Sequence, residues 1–130
     1  MHEYGLMESV LERAAEIVAR ESGGTVSRIR VEIGELAFAS RESLEAAFAS
    51  LTAGTKMAGT RLELVEVPAR LRCDLCGREG PPRDFGIEGP QDIAPPICGA
   101  CGSLLTVLQG GGVSLSEVAF LDSRAGPAVA

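Results

Sequence analysis

The N-terminal part of the chain changes from a helical to an extended pattern of apolar residues. From Leu6 to Glu21 the apolar residues fall on one helical face, which predicts an amphipathic helix. Apolar and charged residues then alternate over positions 28–33, which predicts a half-buried strand that Gly34 ends. A second helix is predicted from about Arg41 to Leu51, with Ser40 as its N-cap.

The C-terminal part of the chain is predicted to contain three strands and a loop-rich segment. Strands are expected over residues 60–67, 104–108 and 113–121. Between Cys73 and Cys101 the composition changes to Gly, Pro and charged residues, which is typical of a separate module with too few apolar residues to fold without a bound ion. The fold class is therefore α+β: a small mixed sheet with two helices, plus a zinc-ribbon-like module held by four cysteines.

The same order of elements predicts the domain boundaries. Residues 1–69 together with 109–121 are expected to form a helix and sheet domain, to which the last strand returns. Residues 70–108 are expected to form the cysteine module, and residues 122–130 a flexible tail.

The composition suits a globular protein and excludes some partners. The chain has 130 residues, of which 45% are hydrophobic and 23% charged. Its formal net charge of -6 argues against nucleic acid as a partner, because affinity for a polyanion depends on Lys and Arg. Neither a signal peptide nor an apolar run of membrane-spanning length is present, so we expect a cytoplasmic protein that does not bind membranes.

The four cysteines form two matched pairs, each of the form Cys-x-x-Cys-Gly. They are Cys73, Cys76, Cys98 and Cys101. Two intervening residues allow both sulfurs of a tight turn to reach one ion, and four thiolates suit tetrahedral zinc. Disulfides are unusual in the cytoplasm, and a thioredoxin-like motif needs only one pair; an iron or iron–sulfur site is the main chemical alternative. With four protein ligands the zinc would be structural rather than catalytic.

The cysteine module has little that would bind nucleic acid. From Arg70 to Gln109 there are four arginines against five acidic residues, and Phe85 is the only aromatic residue. The module therefore has neither a basic track nor a base-stacking surface.

A second candidate metal site lies at the N-terminus. His2 is the only histidine, and it stands one peptide bond from the amine of Met1. Amine, imidazole and the intervening amide nitrogen can form adjacent chelate rings around nickel, copper or zinc, and Glu3 supplies an additional oxygen. Such a site would lie on the surface, where the metal can be exchanged.

These features together resemble the hydrogenase nickel-incorporation (HypA/HybF) family of nickel metallochaperones. The shared features are the opening Met1-His2-Glu3, the segment from Val31 to Leu36, the helix start at Glu42 and the paired cysteine motifs. The resemblance extends to about Leu121.

The resemblance implies exchangeable nickel at Met1, His2 and Glu3 and structural zinc at the four cysteines. It also implies delivery of nickel to the large subunit of [NiFe]-hydrogenase together with a partner GTPase, with urease maturation in some organisms. We expect a monomer or weak homodimer. Because the only histidine is terminal and no phosphate-binding loop is present, we expect no enzyme activity. The alternative is a zinc-ribbon module that binds proteins or nucleic acid and has no nickel function.

Overall fold

The computed structural model describes residues 2–21, 24–92, 95–121 and 125–127. In chain order the elements are α1 (His2–Arg20), β1 (Val26–Gly34), a 3-10 helix (Glu35–Ala37), α2 (Arg41–Thr52), β2 (Arg61–Val67), β3 (Arg70–Cys73), β4 (Glu79–Gly80), two further 3-10 helices (Pro82–Phe85 and Pro90–Asp92), β5 (Leu105–Gln109), β6 (Val113–Phe120) and β7 (Ala125–Pro127). The predicted α+β class with two helices is confirmed, but the strands form two sheets.

The chain divides into two compact units. The larger lies within Met1–Glu32, Ala39–Val65 and Val113–Ala130, and the smaller within Ile33–Phe38 and Glu66–Gly112. Neither unit is continuous in sequence. In the described part of the chain, no helix is both long enough and apolar enough to cross a membrane.

The larger unit contains both α-helices and a four-stranded sheet in the order β2-β1-β6-β7. The last long strand, β6, therefore returns to the sheet, as predicted, and it lies beside β1. Helix α1 packs against α2 and β6. Its buried face consists of Met7, Val10 and Ala14. Since burying a large apolar side chain contributes about 1.5–3 kcal/mol, these packed faces carry much of the unit's stability.

Two ends of this unit differ from the sequence-based expectation. Helix α1 begins at His2 rather than near Leu6, so the candidate N-terminal site is part of a helix. The predicted tail, 122–130, contains β7, in which Gly126 pairs antiparallel with Val118 of β6. Residues 122–124 and 128–130 lie outside the described part of the chain.

The smaller unit has its own three-stranded antiparallel sheet, in the order β4-β3-β5. The register pairs Leu71 with Gly80 on one side and Cys73 with Leu105 on the other. The unit also has an apolar core formed by Leu36, Ala69, Leu71, Cys73, Phe85, Ile87, Cys98 and Leu105. Two members of this core are cysteines of the candidate zinc site, so core packing and metal binding depend on the same side chains.

Residues 33–38 belong to the smaller unit, whereas the sequence-based boundary places them in the 1–69 domain. The backbone N–H of Gly34 donates to the carbonyl of Gly112 (2.8 Å), and that of Leu36 donates to the carbonyl of Gly110 (3.0 Å). The backbones approach so closely that a Cβ on Gly34 would lie 2.4 Å from the carbonyl carbon of Gly110. Position 34 therefore requires glycine.

Candidate metal centres

The four cysteines predicted to share one ion lie together in the smaller unit. Their sulfurs are all within 4.8 Å of one another. The Sγ atoms of Cys73 and Cys101 are 3.5 Å apart, and those of Cys76 and Cys98 are 4.0 Å apart. A tetrahedron with metal–sulfur bonds of about 2.3 Å has sulfur–sulfur edges of about 3.8 Å. The spacing therefore fits one tetrahedral ion, and the four-cysteine site is of the kind that binds zinc.

Each pair of cysteines is presented by the same backbone turn. In the first turn, the N–H of Gly77 donates to the carbonyl of Cys73 (2.8 Å). In the second, the N–H of Gly102 donates to the carbonyl of Cys98, also at 2.8 Å. Both glycines have positive φ, 78° and 76°, a conformation that side chains disfavour. The Gly after each Cys-x-x-Cys therefore closes the turn.

The pKa values of three of the thiols are shifted in different directions. The amide of Cys76 lowers the pKa of the Cys73 thiol, and the amides of Ala100 and Cys101 lower that of Cys98 to about 6. Conversely, the neighbouring sulfurs of Cys101 and Cys73 raise the pKa of Cys76 to about 12. Four sulfurs this close cannot all carry a negative charge unless a cation lies between them. The site therefore favours a divalent cation that displaces the remaining protons.

The two cysteines of each turn also differ in exposure. The first of each pair, Cys73 and Cys98, is buried, whereas the second, Cys76 and Cys101, is exposed. The four sulfurs therefore lie at the boundary between the core of the smaller unit and solvent.

One contact of this site was not predicted from the sequence. The guanidinium of Arg78 lies 3.9 Å from the Sγ of Cys98, which belongs to the other turn. Arg78 directly follows the first Cys-x-x-Cys-Gly, but this position alone does not predict a contact with the other turn.

The second candidate site lies at the start of α1. The imidazole Nδ1 of His2 is 3.5 Å from Oε1 of Glu3. The His2 side chain is 56% exposed and that of Glu3 only 16%. The structure thus brings these two predicted ligands together, whereas Met1, the third, lies outside the described residues.

The carboxylate of Glu3 also contacts the start of α2. Its Oε2 accepts a hydrogen bond from the backbone N–H of Ser40 (3.1 Å). Ser40 is the predicted N-cap, and its side chain accepts from the N–H of Ser43 (3.2 Å). The bond from Ser40 is the main cause that lowers the pKa of Glu3 below its usual value. One negative charge thus lies at the N-terminal ends of two helices, where the helix dipoles favour it.

Among the described residues, the cysteine cluster is the one group in which three or more His, Cys, Asp or Glu side chains place their ligand atoms close together. His2 and Glu3 do not belong to such a group. A metal bound by His2 and Glu3 would therefore need further donors, namely backbone nitrogens and the terminal amine.

Known proteins with similar sequences cover nearly the whole chain. A family model described as "Hydrogenase/urease nickel incorporation, metallochaperone, hypA" matches residues 1–120. A hydrogenase maturation factor HypA from Chlorobaculum tepidum is 32% identical over 111 residues, which cover 85% of this chain and 90% of the relative. One of the same name from Streptomyces avermitilis is 32% identical over 126 residues, which cover 95% and 90%.

Two solved structures share the fold. The solution structure of the Ni metallochaperone HypA from Helicobacter pylori superposes with a TM-score of 0.64 at 19% sequence identity, and covers 92% of this chain and 97% of that one. A second structure, described as the solution structure of HypA protein, gives a TM-score of 0.63 at 22% identity and covers 93% and 97%. At these identities the structures support the fold rather than individual residue roles.

Proposed function

Because the chain belongs to the HypA family of hydrogenase and urease nickel-incorporation metallochaperones, we propose that it carries nickel at Met1, His2 and Glu3 and delivers it during maturation of [NiFe]-hydrogenase. Membership of this family establishes that the chain is a nickel metallochaperone for hydrogenase maturation. The observation that supports this particular site is the exposed imidazole of His2 in the first turn of α1.

The helical start of the chain suits a nickel site of nitrogen donors. The first N–H groups of an α-helix have no carbonyl four residues before them, so an amide nitrogen there can bind a metal without breaking an intrahelical hydrogen bond. The amide of His2, its imidazole and the amine of Met1 can form two adjacent chelate rings. Nitrogen donors in a plane suit nickel.

Glu3 has two oxygens in different surroundings. Oε2 is held by the N–H of Ser40, whereas Oε1 faces the imidazole of His2. We assign Oε1 as the carboxylate oxygen that contributes to nickel binding, while the bond to Ser40 holds the side chain in place.

The four-cysteine site is proposed to hold structural zinc. Its residues, Cys73, Cys76, Cys98 and Cys101, fit one tetrahedral ion in spacing and in donor chemistry. Because all four ligands come from the protein, none of the coordination positions is open to a substrate. The zinc would stabilise the smaller unit and would not be transferred.

The partners are proposed to be proteins. We infer a hydrogenase-maturation GTPase, which supplies the nucleotide chemistry, and the hydrogenase large subunit, which receives the nickel. The net charge of -6 supports protein partners over nucleic acid. We further propose a cytoplasmic protein that is a monomer or a weak homodimer.

Metal analysis of protein with a native, untagged N-terminus tests the proposal. We expect about one tightly bound zinc and about one weaker nickel per chain. Protein acetylated at its amine is the control. If the untagged protein binds zinc but no more nickel than this control, the result would favour the zinc-ribbon alternative.

A further inference from the structure

The side chain of Arg78 contacts three groups of the smaller unit. Its Nη2 donates to the Sγ of Cys98 (3.9 Å) and to the carbonyl oxygen of Asp84 (3.4 Å). Its guanidinium carbon lies 5.3 Å from the centre of the Phe85 ring. The ring of Phe85 is buried in the core. These contacts hold a positive charge in a defined place beside one sulfur.

Other arginines of the same unit are paired with carboxylates instead. Arg70 contacts Glu79 (3.2 Å), and Arg72 contacts Asp74 (2.9 Å). Arg78 differs from them because its charge faces a cysteine sulfur. The contact also joins the two turns, since Arg78 follows Cys76 whereas Cys98 opens the second pair.

Four thiolates around one divalent ion carry a net charge of about -2. The sulfur of Cys98 is buried, so water stabilises its share of this charge poorly. A guanidinium is planar, weakly hydrated and always charged, and it is therefore well suited to compensate a buried anion. A hydrogen bond to a thiolate also withdraws electron density from the sulfur and makes it a weaker nucleophile.

We propose that Arg78 is a positioning residue of the four-cysteine centre, whose guanidinium compensates the charge of the Cys98 thiolate and thereby slows both loss of zinc and chemical attack on that sulfur. The inference rests on the proposed zinc occupancy. It adds a fifth functional residue to the four ligands, one that acts through Cys98 and does not bind the metal.

Three variants separate charge from packing. Arg78→Met keeps much of the apolar stem and removes the charge. Arg78→Lys keeps the charge and loses the planar contact with Phe85. Arg70→Met is the matched control, because it removes the same charge from an exposed ion pair in the same unit, where such pairs contribute little.

The measurement is the rate of zinc transfer to an excess of a metallochromic chelator. We expect Arg78→Met to release zinc about tenfold faster than wild type. This is the lower end of the effect typically seen when a residue that hydrogen-bonds to a metal ligand is replaced. Arg78→Lys should restore most of the slow release, and Arg70→Met should stay within about twofold of wild type. In cobalt-substituted protein, the thiolate-to-cobalt charge-transfer band should shift to lower energy in Arg78→Met but not in Arg70→Met.

Two results would overturn the inference: release from Arg78→Met as slow as from wild type, or equally fast release from Arg78→Met and Arg78→Lys. The second result would mean that Arg78 acts by packing on Phe85. Metal analysis of the wild type keeps the proposals apart, because protein without zinc contradicts the occupancy itself, whereas zinc-loaded protein with unchanged release contradicts only the role of Arg78.

Discussion

The carboxylate of Glu3 accepts a hydrogen bond from the backbone amide of Ser40, 37 residues further along the chain. This bond joins the first turn of α1 to the N-cap of α2. The start of the chain, which carries the proposed nickel ligands, is thereby fixed to a second helix. The same carboxylate faces His2 with its other oxygen.

This contact predicts a pH-dependent contribution of Glu3 to stability. Because the pKa of Glu3 is lowered in the folded protein, its stabilising effect is fully present above the ordinary value of 4.5 and is lost as the pH falls through the lower, folded value. Glu3→Gln should therefore reduce the urea midpoint of the helical signal at neutral pH, and the difference from wild type should narrow below pH 4.5. Glu8→Gln is the control, since Glu8 is an exposed residue of the same helix; an equal loss in Glu8→Gln would contradict a specific role for the Ser40 contact.

The proposed nickel site predicts that a blocked amine and a missing imidazole weaken nickel binding to a similar degree. Acetylation, one residue added before Met1, and His2→Ala each remove one donor of the same chelate. Loss of a group that only hydrogen-bonds to a metal ligand typically weakens metal binding by roughly 10- to 100-fold. Loss of a ligand should weaken nickel binding, measured by calorimetry, by at least as much. Zinc content and thermal stability should stay nearly unchanged, because these changes leave the Glu3–Ser40 hydrogen bond in place and the His2 side chain is mostly exposed. Wild-type nickel affinity in His2→Ala would refute the site.

The four-cysteine site predicts that removing one ligand releases the zinc, and that the smaller unit unfolds once the zinc is gone. Cys98→Ser and Cys101→Ser should both lose stoichiometric zinc, because each removes one of four ligands. The helical circular dichroism should persist, since both α-helices belong to the larger unit. Cys98→Ser should be the more destabilising, because Cys98 is buried in the core whereas Cys101 is exposed. Retention of stoichiometric zinc by Cys98→Ser would exclude four-thiolate coordination.

The close approach at Gly34 predicts a large effect of a single methyl group. In Gly34→Ala the new Cβ would lie 2.4 Å from the backbone of Gly110, which has no side chain to move aside. We expect a loss of about 2–4 kcal/mol in the free energy of unfolding, measured with urea. Gly5→Ala is the matched control: apart from its chain neighbours and the backbone of its own helix, a Cβ there would have no atom within 4 Å, and the substitution should stabilise α1 by about 0.5–1 kcal/mol. Equal effects of the two substitutions would contradict the contact.

Local patterns predicted much of the fold because each element reflects nearby residues. Ser40 caps α2 as expected, and β1 ends at Gly34. The start of α1 was placed too late, since the residues before Leu6 include Gly5 and no apolar repeat. The strand β7 was missed because Ala125–Pro127 has no apolar alternation, and it forms by pairing with β6.

The candidate sites were predictable only in part, because local patterns reflect only nearby residues. The four cysteines could be assigned because spacing within each motif fixes the turn. The contact of Arg78 with Cys98 joins residues 20 apart, and that of Glu3 with Ser40 joins residues 37 apart. Such contacts depend on tertiary packing, about which a local pattern carries no information. The burial of Phe85 in the core could not be predicted either, because the surrounding sequence is rich in Pro and Gly and has no apolar periodicity.

The alternation of buried and exposed cysteines has a kinetic consequence. A competing chelator can reach Cys76 and Cys101 directly, whereas Cys73 and Cys98 are covered by the core. Exchange of the proposed zinc should then begin at the exposed pair and pass through an intermediate that retains the two buried thiolates. Since these two also belong to the apolar core, the smaller unit can stay folded during the first half of the exchange and lose its structure only in the second.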